Sequence, residues 1–385
     1  MNTQRFGSKS SLPMAEVVPS PRSEDWLPKR DYILLPLIVL ATIVLLLGCG
    51  EILARVFWAE HLDNACAYQT PLGKRFRANC SSPEKAVEGP WTTSVDNECG
   101  YRTTESCVVR GPDQLRVVVL GSSAARGALV AYEHTFAARA SAALTGACRR
   151  IVDFQNLGTE AADLDRNDLR ISEALALKPT AIVIVIGPYD IEHLKETTQG
   201  AATAGFQFNL HDLDAQLRKS RLFLVGQHYL YRDPAVQIAA FLRNGDESSR
   251  YLQNPLPETW RKQVDDVGAL LGRITAQTAP ANVPVLLFYL PTRTQAALAI
   301  SKYARPGIDT AALGEALRAT ATQNGVAFVD TTPDFAGARD FGSLFYQADG
   351  HPTAEGHAVI AERVESTLLK LPAFGQCRAF VGARQ

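Results

Sequence analysis

The sequence lacks several features that would assign it at once to a function class. Its 385 residues carry a net charge of −1, so it has no excess of basic side chains of the kind that binds nucleic acid. It contains no C-x-x-C pair and no histidine cluster, the patterns that indicate a zinc site. No internal repeat is visible. We therefore expect neither a nucleic-acid partner nor a metal.

A long uncharged run is the most prominent feature that is present. Residues 32–50 carry no charge, and their length is close to the roughly 20 residues that a spanning helix needs. Lys29 and Arg30 precede the run, which predicts a cytoplasmic N-terminus and an exported remainder. A cleaved signal peptide is the alternative, but no small-x-small cleavage site follows. We expect a disordered tail over residues 1–31 and a retained anchor over residues 32–55, in a bacterial inner membrane facing the periplasm.

The cysteines agree with export. Cys49 lies in the apolar run, and the others follow it in an even number, as is typical of an oxidising compartment (Cys66, Cys80, Cys99, Cys107, Cys148 and Cys377). The first four of these fall in residues 56–114, which we interpret as an irregular, cysteine-rich neck stapled by disulfides. Cys99 and Cys107 are a candidate pair, but the sequence does not choose among the possible pairings.

From residue 115 onward, short apolar runs alternate with helical patterns. The runs that we predict as buried strands are residues 117–120, 151–157, 181–186, 283–290 and 326–329. Strands that alternate with helices predict a parallel sheet with helices on both faces. We expect one α/β domain over residues 115–372, with a helical insertion over residues 191–282 and a C-terminal tail over residues 373–385.

The segment RVVVLGSSAARG, residues 116–127, delivers two serines to the end of the first of these strands. The turn after a parallel strand lies at the carboxyl edge of the sheet, where open α/β folds bind ligands. A hydroxyl of Ser122 or Ser123 can act there as a nucleophile. It can equally cap the next helix, and this segment alone does not decide between the two roles.

Further candidate groups follow the other strands. Gly158 follows the second strand, residues 187–190 follow the third, and Asp349 and His351 precede the last helix. Acyl transfer needs a nucleophile, a base, a group that orients the base, and donors to the oxyanion. Ser123, His351 and Asp349 suit the first three roles, and backbone N–H groups at Ser123 and Gly158 suit the last. His351 before proline can instead cap the last helix.

The order of these blocks resembles the SGNH, or GDSL-type, hydrolases. The resemblance covers about residues 117–369 and is carried by LGSSAARG at 120–127, NLG at 156–158, GPYD at 187–190 and DGHPTAEGH at 349–357. It implies a three-layer, flavodoxin-like parallel sheet and a serine mechanism without metal or organic cofactor. Members of the family are mostly esterases, lipases, thioesterases and carbohydrate acetylesterases, and some are O-acyltransferases that act on cell-surface glycans.

Position by position, the resemblance implies that Ser123 is the nucleophile, His351 the base and Gly158 an oxyanion donor. Two residues depart from the family pattern. Ser122 stands where an acidic residue is usual, and Tyr189 stands where an asparagine amide normally completes the oxyanion hole. A phenol donates one hydrogen bond, with a different reach. The expected oxyanion and substrate-binding residues are Gly158, Gly187 and Tyr189.

Three polar residues in or beside these motifs are expected to have structural rather than catalytic roles. Asp190 is expected to be a structural hydrogen-bonding group, and His357 to lie on the surface or to pack within the last helix. Arg126 is close enough to Ser123 to bind an anionic substrate group, but a solvated arginine is the expectation. His228 has no partner that the sequence identifies.

The sequence therefore predicts a membrane-anchored, exported serine esterase or O-acyltransferase. Its substrate would be an acyl or acetyl ester carried by a small molecule, a lipid or a cell-envelope glycan. Tyr189 motivates an alternative, a catalytically weak glycan-binding or envelope-assembly protein that keeps the fold, and a receptor-like domain is a third reading. The envelope role depends on location and on family analogy.

Overall fold

A computed structural model describes residues 28, 30–70, 73–109, 111, 113–159, 169–194, 219–243 and 247–377. The chain divides into two compact units, Met1–Gly50 and Glu51–Gln385. The described part of the first unit consists almost entirely of helix α1, which extends over Asp31–Phe57. By length and composition this helix can cross a membrane, as either an anchor or a signal sequence.

Residues 56–114 contain two antiparallel hairpins that the sequence analysis did not predict. Strand β1 (Ala67–Thr70) pairs with β2 (Gly73–Phe76), and β3 (Ser81–Glu84) pairs with β4 (Thr92–Val95). The strands are short and largely polar, so they carry little of the alternation that identifies a strand. The disulfides join Cys66 to Cys80, Cys99 to Cys107 and Cys148 to Cys377. The second of these is the candidate pair of the sequence analysis.

A five-stranded parallel sheet forms the centre of the second unit. Its strands are β5 (Leu115–Gly121), β6 (Val152–Asn156), β7 (Ala181–Ile186), β8 (Val285–Tyr289) and β9 (Ala327–Asp330), in the spatial order β6-β5-β7-β8-β9. Every residue of the first four is buried, as expected for strands covered on both faces, and β6 (VDFQN) buries three polar side chains as well. The strand order is flavodoxin-like and confirms the predicted α/β fold. Strand β6 is added on one side of β5 and β7 on the other, so the sheet has its topological switch point between β5 and β7, and the loops after these two strands frame the crevice.

The helices of the second unit form layers against the sheet. They are α2 (Ser123–Arg126), α3 (Phe136–Cys148), α4 (Ile171–Ala176), α5 (Pro188–Glu192), α6 (Arg221–Leu230), α7 (Pro234–Arg243), α8 (Glu258–Thr278), α9 (Arg293–Ala299), α10 (Ala312–Gln323), α11 (Thr332–Gly337) and α12 (Ala354–Leu368). Helix α3 packs against α12, and helix α8 packs against α4, α5 and α10. Part of the predicted insertion, residues 195–218 and 244–246, lies outside the described residues.

Helix α8 shows how the sequence pattern produces this packing. Trp260, Val264, Val267, Leu271 and Ile274 recur at helical spacing, and all are buried. Burying a large apolar side chain contributes about 1.5–3 kcal/mol, so this single face holds α8 in place.

Candidate active site

Ser123, His351 and Asp349 lie in one hydrogen-bonded chain. The Ser123 Oγ atom is 2.8 Å from Nε2 of His351, and Nδ1 of His351 is 2.7 Å from Oδ1 of Asp349. If Nδ1–H donates to the carboxylate, Nε2 is left to accept from the serine hydroxyl. The structure therefore brings the three predicted residues together in the order that nucleophile, base and orienting group require.

Local backbone geometry delivers Ser123 to this position. Strand β5 ends at Gly121, whose φ is +142°, and a Cβ atom there would lie 2.4 Å from the Val185 carbonyl oxygen. Helix α2 then begins at Ser123, and its N-cap residue Ser122 makes no capping hydrogen bond with its side chain. The Ser122 side chain instead hydrogen-bonds Asp190. The capping role left open for the two serines is therefore not the one observed.

A left-handed glycine explains how an acid only two residues before the histidine can orient it. Gly350 has a φ of +87°, a conformation that glycine adopts without strain. The turn lets Asp349 Oδ1 accept from both the backbone N–H of His351, at 3.0 Å, and its ring Nδ1. Thr353, whose hydroxyl accepts from the Gly356 N–H at 3.3 Å, caps the last helix. His351 is thereby free for another role.

The charges of the site favour a protonatable histidine paired with an ionised acid. Burial lowers the pKa of His351, but the negative charges of Asp349 and Asp190 outweigh it, so the pKa lies above its ordinary value. Burial raises the pKa of Asp349, but the ion pair and hydrogen bonds with His351 outweigh it and lower the pKa. The two side chains are 30% and 27% exposed, so a substrate can reach them.

The predicted oxyanion donors Gly158 and Gly187 are held by hydrogen bonds of their backbone groups. The Gly158 N–H donates to Asn156 Oδ1 at 2.9 Å, and the Gly187 N–H donates to Asp190 Oδ2 at 2.8 Å. A Cβ atom at Gly158 would lie 2.6 Å from the backbone nitrogen of Arg126, so the chain can pass there only with glycine. Glycine thus brings the end of β6 against helix α2, next to the serine.

Tyr189 lies on the surface beside these glycines. Tyr189 lies in the first turn of α5, two residues after Gly187, and is 62% exposed. The phenol ring packs against the His193 ring at a centroid distance of 4.1 Å. Asp190, on the next position, is buried, and burial raises the pKa of its carboxyl to about 6 despite the hydrogen bonds it accepts. Asp190 is a structural hydrogen-bonding group, as expected.

Arg126 corrects one expectation of the sequence analysis. It is not solvated but 3% exposed, and its Nη2 atom lies 2.8 and 3.0 Å from the two carboxylate oxygens of Asp96. Its guanidinium also lies 3.3 Å above the Phe76 ring. Both partners come from the segment before the sheet, so sequence proximity to Ser123 does not reveal them. His357 is buried and stacks on Phe136, in keeping with a packing role.

A polar cavity of about 210 Å³ adjoins the oxyanion side. Gly158 and Thr159 line one wall. Tyr68, Arg75 and Tyr101 also line the cavity and belong to residues 56–114, which we call the hairpin segment. No group of three histidine, cysteine, aspartate or glutamate side chains suited to a metal occurs in the described part of the chain. The site as described is built from a serine, a histidine, carboxylates and backbone N–H groups.

Solved structures that resemble the chain include a lipolytic G-D-S-L protein from Veillonella parvula DSM 2008 (14% identity, 67% of this chain, 100% of that chain, TM-score 0.36). A variant of Axe2, an acetyl-xylooligosaccharide esterase from Geobacillus stearmophilus, shares 15% identity over 65% of this chain and 92% of that chain, with a TM-score of 0.38. The psychrotrophic esterase EstA from Pseudoalteromonas sp. shares 14% identity over 66% and 96%, with a TM-score of 0.35.

A family model gives the decisive comparison. No curated protein matches the sequence. The model of the GDSL-like lipase/acylhydrolase family, in contrast, matches residues 119–359, a span that contains every residue of the hydrogen-bonded chain described above. The chain belongs to the GDSL-like lipase/acylhydrolase family.

Proposed function

We propose that the protein is a serine esterase or O-acyltransferase whose nucleophile is Ser123. The observation that carries this proposal is the continuous hydrogen-bonded chain from Ser123 through His351 to Asp349. His351 Nε2 takes the hydroxyl proton as Oγ bonds to the ester carbonyl carbon, and Asp349 stabilises the imidazolium that forms. The same proton then passes to the departing alcohol, which leaves an acyl-enzyme.

The second half of the reaction reverses these roles. Water, or a sugar hydroxyl in a transferase, gives its proton to His351 and attacks the acyl carbon. The bond to Ser123 Oγ breaks, and the serine recovers the proton from the imidazolium. Hydrolysis and transfer differ only in which hydroxyl reaches the acyl-enzyme first.

The oxyanion is the second element of the proposal. The backbone N–H groups of Ser123 and Gly158 and the phenol of Tyr189 are the proposed donors to the negative oxygen. Gly158 supports this role through its close approach to helix α2, although its N–H also donates to Asn156. Tyr189 supports it through its exposure at the first turn of α5, beside the triad-bearing edge of the sheet.

The cell envelope is the proposed location. Helix α1 supports a membrane anchor, and the three disulfides of the second unit support an oxidising, exported compartment. The substrate would be an acyl or acetyl ester of a glycan or lipid at that surface. The cavity beside Gly158 supports a hydroxyl-rich ligand, because tyrosine rings and an arginine from the hairpin segment line it.

One observation favours a second candidate, a weakly catalytic or non-catalytic glycan-binding protein. The Gly158 N–H already has a partner within the chain, and no amide side chain is present at position 189. An oxyanion hole that lacks a donor slows acyl transfer by roughly 10²–10³-fold. In this candidate the same edge of the sheet would hold a glycan without cleaving it.

The test uses the full-length chain in detergent micelles, incubated with acetyl and longer acyl esters and with an O-acetylated oligosaccharide. Free acid and acyl transfer to added sugar are measured by mass spectrometry, with Ser123→Ala as the matched control. Release or transfer that disappears in the variant supports the enzyme. Saturable glycan binding without turnover, equal in both proteins, would overturn it in favour of the binding protein.

A further inference from the structure

Glu88 joins the hairpin segment to the loop that carries the catalytic acid and base. Its carboxylate accepts the backbone N–H of Ala348 at 2.8 Å and that of Asp349 at 3.1 Å. It also lies 2.8 Å from Nδ1 of His228, in helix α6. The Glu88 side chain is only 1% exposed, so these contacts replace water. Three segments that are distant in sequence therefore meet at one carboxylate.

The hydrogen-bond network fixes the state of His228. The Arg232 Nη2 atom lies 3.1 Å from Nε2 of His228. A guanidinium can only donate, so Nε2 must accept and the histidine proton must lie on Nδ1. His228 thus donates Nδ1–H to Glu88, and each of the three polar neighbours of the Glu88 carboxylate is a donor.

The backbone around Glu88 is also held in place. The Lys85 ammonium donates to the carbonyl oxygens of Ala86, Val87 and Gly89, at 3.1, 3.4 and 2.9 Å. These three contacts wrap residues 86–89 around one side chain. A Cβ atom at Gly89 would lie 3.0 Å from the hydroxyl of Tyr346, so the segment lies close against the residue that opens the turn of the catalytic loop.

A buried carboxylate is costly unless its charge is compensated. Here the compensation comes from the donors above and from the positive charge of Arg293, a buried side chain whose charge interacts with Glu88. The buried Glu88 carboxylate therefore favours one position of the loop that carries Ala348 and Asp349, because a shifted loop would leave a buried charge without its hydrogen bonds. Asp349 itself uses one carboxylate oxygen for two contacts to His351, so its backbone must be placed closely.

We propose that Glu88 is a positioning residue that sets the orientation of Asp349, and through it His351, by holding the backbone N–H groups of Ala348 and Asp349. This role rests on the proposed function, since it acts on the same serine mechanism. The hairpin segment is then part of the active site and not only a spacer between helix α1 and the sheet. Glu88 does not touch the reacting atoms.

The test compares Glu88→Gln with the wild-type full-length chain in detergent. The amide presents an NH₂ group to one of the backbone donors, so the loop can no longer be held at both nitrogens. We expect kcat/KM to fall by roughly 10- to 100-fold, the effect of a displacement of about 1 Å, with the loss in kcat and KM little changed. Glu98→Gln is the matched control, because Glu98 accepts the Val108 N–H in the same segment, away from the loop.

A second readout separates positioning from general destabilisation. If Asp349 loses its contact, the pKa of His351 moves down towards the ordinary value, so the acid limb of kcat/KM shifts to lower pH. Asp190, the other carboxylate whose charge acts on His351, is unchanged in Glu88→Gln. An unchanged limb and unchanged kcat per labelled serine would overturn the proposal.

Two further outcomes are distinguishable. If wild type itself shows neither turnover nor serine labelling, the proposed function fails and Glu88 is not the cause. If Glu88→Gln does not fold, Glu88→Asp keeps the buried charge but shortens the side chain by one methylene, which withdraws the carboxylate from the backbone N–H groups of Ala348 and Asp349. We then expect a smaller loss of kcat with a smaller downward shift of the acid limb, and a wild-type profile in Glu88→Asp would overturn the proposal.

Discussion

The two sides of the active site are built in different ways. On the triad side, three side chains meet through hydrogen bonds of 2.8 and 2.7 Å, and a glycine turn places the acid. On the oxyanion side, the backbone N–H groups of Gly158 and Gly187 already donate within the chain, and the Tyr189 ring lies exposed. The side chains of the first side are hydrogen-bonded to one another in the free chain, whereas the groups of the second side donate elsewhere within the chain or face solvent.

This difference separates what each side contributes to the rate. In the proposed mechanism the triad supplies proton transfer and the nucleophile, which side-chain substitutions remove directly. The proposed oxyanion side supplies hydrogen-bond donors, which changes of backbone geometry alter. The experiments below therefore remove side chains on one side and disturb the backbone on the other.

The largest effect should come from the nucleophile and the base. Ser123→Ala and His351→Ala should each lower kcat by roughly 10³-fold or more, because removal of a single triad member leaves only binding and the oxyanion donors. The double variant should be little worse than either single one. Kinetics on one ester with all three proteins checks this, and additive losses would show that the two residues do not act together.

The orienting acid should come next. Asp349→Asn keeps the shape but offers the amide where the His351 Nδ1–H needs an acceptor, so we expect kcat to fall by roughly 10²–10⁴-fold. Steady-state kinetics and a thermal unfolding curve separate this loss from unfolding. Activity within a few-fold of wild type would place the orienting role elsewhere.

On the oxyanion side, Gly158→Ala should be the most damaging change. The new methyl group would meet the Arg126 backbone nitrogen at 2.6 Å, so the end of β6 must move away from α2. We expect a roughly 10²–10³-fold loss of kcat, as for a lost oxyanion donor, while fluorophosphonate labelling of Ser123 is retained but slowed. Wild-type turnover would remove Gly158 from the proposed donors.

A smaller effect is expected at Tyr189. Tyr189→Phe keeps the ring against His193 and removes only the hydroxyl, so we expect a loss of roughly 10-fold in kcat, below that of a fully buried donor. Tyr189→Asn tests whether the amide usual in the family serves better. A gain of activity would indicate a weakened hydrolase, whereas a loss would indicate that the phenol belongs to a working site.

The smallest effect concerns pH. His351 must be neutral to accept the serine proton, and its raised pKa places the midpoint of the acid limb of kcat/KM above the ordinary histidine value of about 6.5. Asp190, whose pKa is about 6, is ionised over most of that limb and raises the pKa of His351. Asp190→Asn should therefore move the limb to lower pH. A limb that stays in place would mean that the charge of Asp190 does not reach His351.

The sequence predicts most of the sheet and of the triad, for physical reasons. Strands buried on both faces of a parallel sheet are mostly apolar, so most of their positions are visible in the sequence, and ligands bind where those strands end. Ser123 follows from that rule, whereas Asp349 and His351 are predicted from the chemistry that a serine nucleophile needs and from the family resemblance. The hairpins in residues 56–114 escape it because their strands are short and polar.

Contacts between distant segments are the other features that the sequence does not show. Arg126 is buried because Asp96 and Phe76 cover it, and Glu88 reaches the catalytic loop across 260 positions. Neither contact has a local sequence signal, since each depends on how the hairpin segment folds back onto the sheet.

The most direct test of the central claim is covalent labelling of the full-length chain with a fluorophosphonate, read by intact mass and by peptide mapping. We predict one adduct per chain, on Ser123, that is absent in Ser123→Ala, strongly slowed in His351→Ala and absent after denaturation. A folded wild-type chain that takes no adduct, or that takes it on another residue, would contradict the claim that His351 activates Ser123.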